Sequence, residues 1–176
     1  LAMRGHKDDV LCISSDAAGR RVVSGDRGGV VKIWDANRGS ELTSLPAHRG
    51  RVLCVRYSPD GAKVASCGED MTVRLWDSEK GTELMTLLGH TEWVTSVAFS
   101  ADGRRIASSD VNGMIKVWDA VSDGEPLTIQ GNNKPLLSVG LSTDGKLVAS
   151  GGRDRTVRIW DADTGNGLST MRGHNG

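Results

Sequence analysis

His48, Ser66 and Asp70 are the residue types that together activate a hydroxyl: a carboxylate orients an imidazole, which then takes a serine's proton. The rest of the chain argues against that chemistry. Ser66 is one of four serines, with Ser24, Ser108 and Ser150, that recur at one constant interval, and acyl transfer needs only one nucleophile. No Gly-x-Ser-x-Gly elbow surrounds any of them. Metal chemistry is no better supported, because His6, His48 and His90 are separated by that same long interval and no Cys-x-x-Cys or His-x-x-x-His pair is present. The run Gly25-Asp26-Arg27-Gly28-Gly29 lacks the Lys and the following helix of a phosphate loop, and reads as a turn. The expectation is a chain with no catalytic residue, no metal and no cofactor.

The recurrence itself is the informative feature. Trp34, Trp76, Trp118 and Trp160 are each followed by Asp, and the step from one to the next is constant, without slip. The four serines lie ten residues before them, and His6, His48, His90 and then Asn132 lie 28 before. A fixed period of this length, in the range of roughly 20–50 residues, signals a repeat architecture. In the second copy, residues 51–57, 63–66, 72–76 and 83–87 are short, apolar or alternating, and read as strands. Ser58-Pro59-Asp60-Gly61 supplies the first turn and recurs at 100–103 and 142–145; Gly68-Glu69-Asp70 and residues 77–81 supply the other two. No helical period interrupts the pattern.

A four-stranded sheet of this size cannot bury both faces alone. Stacking copies around an axis solves the problem, so the expected fold is all-β, a propeller of four-stranded antiparallel blades. A buried Trp removes about 200 Å² from water, worth ~5 kcal/mol as an upper bound. Lys32, Arg74, Lys116 and Arg158, two residues before each Trp, share its strand face and are expected to lay their stems along the blade flank, with cation–π attraction to a nearby ring.

Charge is balanced, 22 basic residues against 22 acidic, so no global field draws the chain to nucleic acid or an anionic membrane, and neither is expected as a partner. Arg153, Arg155 and Arg158 are the only basic cluster, and two of them fall on different faces of the blade. No apolar run reaches the length of a membrane span and no signal segment is visible. Three cysteines, an odd number, argue against a disulfide framework, and a reducing, cytoplasmic setting is expected.

The chain resembles the WD-repeat β-propeller family over its whole length. Gly5-His6, Ala47-His48, Gly89-His90 and Gly173-His174 stand at the repeat heads and the four Trp-Asp pairs at the tails. The repeats run at about 5–46, 47–88, 89–130 and 131–172, with the start of a fifth at 173–176; Leu1-Ala2-Met3 matches Ser169-Thr170-Met171 as the end of an outer strand. Four such units, on this resemblance, are part of a ring of about seven blades. The alternative is that two chains close through their open blade faces, so self-association is a further expectation. The resemblance implies a hydrogen-bonded His–Ser–Asp–Trp network in each blade. The second repeat has all four members: His48, Ser66, Asp70 and Trp76. The first has His6, Ser24 and Trp34, with Gly28 in the Asp position; the third has His90, Ser108 and Trp118, with Asn112 there. The fourth has Ser150, Asp154 and Trp160, with Asn132 in place of His.

The resemblance also implies a top face that binds peptides, built from the start of each first strand and the turn between second and third strands. By position these are Asp9, Arg51, Trp93 and Pro135, then Leu11, Leu53, Thr95 and Leu137, and the turn residues Arg27, Glu69, Val111 and Arg153. They vary between repeats while the Trp and Ser do not. Trp93 is the one Trp off the repeat register, and aromatics and Arg are common binding hot spots, so Trp93, Arg51 and Arg153 lead the candidates, with Glu69, Arg27, Asp9, Leu53 and Thr95 behind them. The expected function is a non-catalytic scaffold for protein or peptide partners. The alternative is the regulatory propeller portion of a larger signalling NTPase or kinase.

Overall fold

The computed structural model describes residues 2–122, 124–132 and 134–174. They form four separate four-stranded antiparallel sheets, the blades of a β-propeller, with strands in sequence order across each sheet. The first blade is β1 (Val10–Ser15), β2 (Arg21–Asp26), β3 (Val30–Asp35) and β4 (Glu41–Pro46). The second is β5 (Val52–Tyr57), β6 (Lys63–Gly68), β7 (Val73–Asp77) and β8 (Glu83–Leu87). The third is β9 (Val94–Phe99), β10 (Arg105–Asp110), β11 (Met114–Asp119) and β12 (Leu127–Gln130), and the fourth is β13 (Leu136–Leu141), β14 (Leu147–Gly152), β15 (Thr156–Asp161) and β16 (Gly167–Arg172). No helix occurs among the described residues. β6 runs two residues past the expected end at Ser66, because Cys67 and Gly68 continue the ladder to Cys54 and Val52.

Leu1, Asn175 and Gly176 fall outside the described residues, so the expected fifth unit is described only at Gly173 and His174, which carry no strand. Ala2 and Met3, expected to end an outer strand, carry no strand either.

The apolar cores lie between blades rather than within them. Strands β1, β5, β9 and β13 each pack on the next as the innermost row. Trp76 joins Val23, Val31, Ile33 and Leu45 of the first blade; Trp118 joins Val73 and Leu75 of the second; Trp160 joins Ile115, Val117 and Ile129 of the third. Each of these three Trp therefore closes the seam with the preceding blade, and burying both sheet faces this way is what the single blade could not do.

One local irregularity recurs and matters for the site. The ladder between first and second strands slips one residue at the same place in every blade: Val10/Cys12, Val52/Cys54, Ser109/Asp110 opposite Val94 and Ser96, and Leu136/Ser138. The residues left unpaired are Leu11, Leu53, Thr95 and Leu137. A bulge bends its strand and re-aims the extra side chain; of the four, Leu11 and Leu137 are exposed and Leu53 and Thr95 half-buried.

Candidate functional site

The blade network is present and its polarity can be assigned. In the second blade the Trp76 indole N–H donates to Ser66 Oγ at 2.9 Å, Ser66 Oγ lies 2.7 Å from His48 Nε2, and His48 Nδ1 lies 2.8 Å from Asp70 Oδ1. An indole can only donate and a carboxylate only accept. The Trp N–H therefore donates to Ser Oγ and the imidazole Nδ1–H donates to Asp, so both imidazole nitrogens are engaged. The first blade repeats it with 2.7, 2.6 and 2.7 Å through Trp34, Ser24, His6 and Asp26. The third does so with 2.8, 2.7 and 2.7 Å through Trp118, Ser108, His90 and Asp110.

These last two carboxylates correct the sequence reading, which placed Gly28 and Asn112 in the Asp position. Asp26 and Asp110 stand two residues earlier, at the ends of β2 and β10, and reach the same imidazole nitrogen. The chain builds the corner in two ways. In the first and third blades the strand-end Asp also accepts a backbone N–H from Val30 or Met114, and Gly29 (φ 89°) or Gly113 (φ 84°) takes the left-handed position. A Cβ there would strike the carbonyl oxygen of His48 or Asn132, at 2.1 and 1.7 Å. In the second and fourth blades Gly68 and Gly152 occupy the strand end, where a Cβ would lie 2.3 Å from the carbonyl of Arg51 or Pro135. The carboxylate then moves into the turn, as Asp70 or Asp154, and bonds the hydroxyl of Thr72 or Thr156. Met71 and Arg155 carry the left-handed φ of 64° in those two turns. The signal was readable: Asp at equivalent positions 26 and 110, where the other two repeats have Gly.

The fourth network is incomplete. Asn132 Nδ2 donates to Asp154 at 2.7 Å and Trp160 donates to Ser150 at 2.9 Å, but no imidazole joins the halves, and Asn132 Oδ1 is buried without a partner.

Burial alone would raise the Asp70 carboxyl; the hydrogen bond to His48 and its electrostatic attraction, with a further bond from Thr72, outweigh it and hold the pKa down to about 2. The Asp–His–Ser order matches a hydrolytic relay, but Ser66 and Ser108 are fully buried and each Oγ is already engaged by an indole. A nucleophile must reach its substrate; these cannot.

The flank cations divide. Lys32 reaches Glu41 at 2.7 Å and Arg74 reaches Glu83 at 3.1 Å, while Lys116 and Arg158 lie 5.9 and 6.0 Å from the Trp118 and Trp160 ring centroids.

The rim is where blades differ. A backbone bond joins each turn residue to its strand-start partner: Arg27 to Asp9, Glu69 to Arg51, Val111 to Trp93 and Arg153 to Pro135. The two rows of candidates are thus side by side in every blade. In the first blade the pair is ionic, Arg27 with Asp9 at 3.8 Å, and in the second Arg51 Nε meets Glu69 at 3.5 Å. The third and fourth blades present Trp93, Val111, Pro135 and Leu137 with Arg153 beside them, lining one open groove of about 310 Å³ with Glu92. Trp93 is 46% exposed and Leu137 54%. Among the described residues no carboxylate lies within ion-pair distance of Arg153. The groove does not include Arg51, whose charge Glu69 neutralises within its own blade, and Leu53 is half-buried. The Thr95 hydroxyl donates to the Leu136 carbonyl at 2.8 Å and contacts Ser109, so it is spent on the seam between blades.

The profile of the WD40 family (WD domain, G-beta repeat) matches residues 1–35, 39–77, 81–119 and 124–161, most of the chain. The chain belongs to the WD40 repeat family. No curated protein sequence matches it. Among solved structures it is similar to one described as "Structure of U3-55K", with a TM-score of 0.93 at 23% identity; the match covers all of this chain and 55% of that one, so the chain spans about half its length. At that identity the likeness shows the fold alone, and 1674 solved chains match, as expected of an architecture reused for many purposes. The Asp of each WD pair has a local task. Asp35, Asp77, Asp119 and Asp161 each accept two backbone N–H groups of the following turn at 2.7 to 3.1 Å, and these bonds hold the four carboxyls below their ordinary pKa. In this WD40 chain the residues common to all repeats are thus committed to packing, seams and turns, and the variable ones to the rim. WD40 propellers as a family are generally non-catalytic and bind proteins or peptides.

Proposed function

We propose that the chain is a non-catalytic interaction scaffold whose rim, between the third and fourth blades, docks an apolar side chain of a peptide or protein partner beside a carboxylate that pairs with Arg153. The observation that carries this is the asymmetry of the rim: two blades neutralise their own charges, and the next two leave a groove lined mainly by apolar side chains, with Glu92 at it and an Arg153 that has no ion-pair partner among the described residues. A half-exposed Trp next to an unpaired Arg is the composition of an interface hot spot. Selection of a random peptide library on the immobilised chain tests it. Enriched peptides should carry an aromatic or branched aliphatic residue close to Asp or Glu. Trp93→Ala should weaken them by about 2 kcal/mol, roughly 30-fold in Kd, and Arg153→Glu by a comparable factor, while Arg27→Glu has little effect. Peptides whose affinity survives both Trp93→Ala and Arg153→Glu would place the binding face elsewhere.

A further inference from the structure

Three cysteines remain that neither the networks nor the rim use. Cys54 on β5 and Cys67 on β6 are directly opposed in the antiparallel ladder, so both side chains leave the same face of the second blade. Both enter the core between the second and third blades, Cys54 at 6% exposure and Cys67 at none. The first blade shows independently that these two positions point at each other. There the equivalents are Cys12 and Gly25, and a Cβ built on Gly25 would come within 2.9 Å of Cys12 Sγ. The third and fourth blades have Ser96 with Ser109 and Ser138 with Gly151, so only the second blade carries a thiol at both.

Opposed strand residues hold their Cβ atoms about 4.5–5.5 Å apart. A disulfide needs roughly 3.5–4.5 Å. Closing the bond therefore takes a shift of about 1 Å, and the ladder slips beside Cys54, where the unpaired Leu53 gives the backbone slack. The two thiols are also unequal. The facing Cys67 draws the Cys54 pKa down to about 6 against the opposing effect of burial, whereas burial, and then the facing Cys54, push Cys67 well up. Burial and the neighbouring Cys54 push Cys12 to about 12, although Cys12 is the most exposed of the three.

We propose that Cys54 and Cys67 form an oxidisable dithiol, a modification site that a hydroperoxide converts to a disulfide within the second blade. The Cys54 thiolate attacks one peroxide oxygen, the O–O bond breaks, and the leaving hydroxide takes a proton as water, which leaves a sulfenic acid on Cys54. Cys67 sulfur then attacks the Cys54 sulfur. The S–S bond forms, the S–O bond breaks, and the hydroxide leaves as a second water with the Cys67 proton. Two thiols lose two electrons and the peroxide gains them. The residual exposure of Cys54 and the full burial of Cys67 set this order.

Mass mapping tests the site. The folded chain is treated with hydrogen peroxide, alkylated in denaturant and digested without reduction. The expected product is a cross-linked Cys54–Cys67 peptide pair about 2 Da lighter than the two reduced peptides together, with Cys54 consumed about tenfold faster than Cys12. Cys67→Ala should abolish the cross-link and leave a Cys54 sulfenic acid that a 1,3-dione traps; Cys12→Ser should leave the cross-link intact. Oxidation of Cys12 ahead of Cys54, a Cys12–Cys54 disulfide, or a cross-link that forms only in denaturant would each overturn the assignment, and the wild-type digest alone distinguishes them.

Discussion

Replacing Asn132 with His should complete the one unfinished blade network and stabilise it. In the fourth blade Asn132 is 3% exposed, donates to Asp154 at 2.7 Å, and leaves its own Oδ1 without a partner. Ser150 Oγ accepts the Trp160 indole at 2.9 Å but has no imidazole to receive its proton. In the second blade His48 meets both groups, at 2.7 and 2.8 Å. His at position 132 would add one neutral hydrogen bond, worth about 1 kcal/mol, and remove a buried orphan acceptor that costs about 1–3. Side-chain reorientation offsets part of this, so the net gain is about 2 kcal/mol, or roughly 30-fold in a local opening equilibrium. Blades behave as neighbouring units, so a local reporter is sharper than a global midpoint. The indole N–H of each repeat Trp is that reporter, followed by NMR hydrogen exchange. In the unaltered chain Trp160 should exchange faster than Trp76 and Trp118. Asn132→His should slow Trp160 about 30-fold and leave Trp76 unchanged, while His48→Asn should bring Trp76 down towards Trp160. Unchanged or faster exchange at Trp160 in the folded variant would refute the claim that the missing imidazole is the weakness of this blade.

Three further outcomes are expected. Asp110→Ala strands the buried His90 and two backbone N–H groups and should cost about 2–3 kcal/mol in urea denaturation, whereas Asn112→Ala should stay within about 0.5; the reverse order would restore the sequence-based placement of the network residue. Asp70 has its pKa depressed from 3.8 to about 2, so its contribution is complete above about pH 4 and is lost as pH falls towards 2; Asp70→Asn should flatten the urea midpoint over that window. Trp76→Ala should cost about 3–5 kcal/mol and Ser66→Ala about 1–2, because seam packing outweighs the two hydrogen bonds through Ser66 Oγ; a larger loss for Ser66→Ala in denaturant titrations would invert that ranking.

The fold and most of the network are legible in the chain's own residues. A turn needs Gly or Asp at a given offset, a strand needs alternation, and both requirements recur once per repeat whatever the surroundings, so Trp76, Ser66 and His48 could be placed by counting. The bulges at Leu53 and Leu137 were not legible, since nothing local separates an unpaired strand residue from a paired one; the slip is decided by the partner strand.

Counting also failed where geometry offers two routes to one contact. A carboxylate at the end of β2 and one two residues on, in the turn after β6, arrive at the same imidazole nitrogen, and only the folded corner shows that Asp26 and Asp70 are equivalent. The rim required the stacked blades as well. Arg51 and Arg153 are both rim cations in the sequence, but Glu69 neutralises the first, while the second lines a groove with Val111 and Trp93 of the preceding blade. The sequence by itself thus determined the period, the strands and the residues that hold each blade, because those depend on neighbours along the chain. Which rim charges are paired and where a groove opens were decided by the tertiary structure, because ion pairs depend on neighbours across the sheet and grooves on neighbours across the seam.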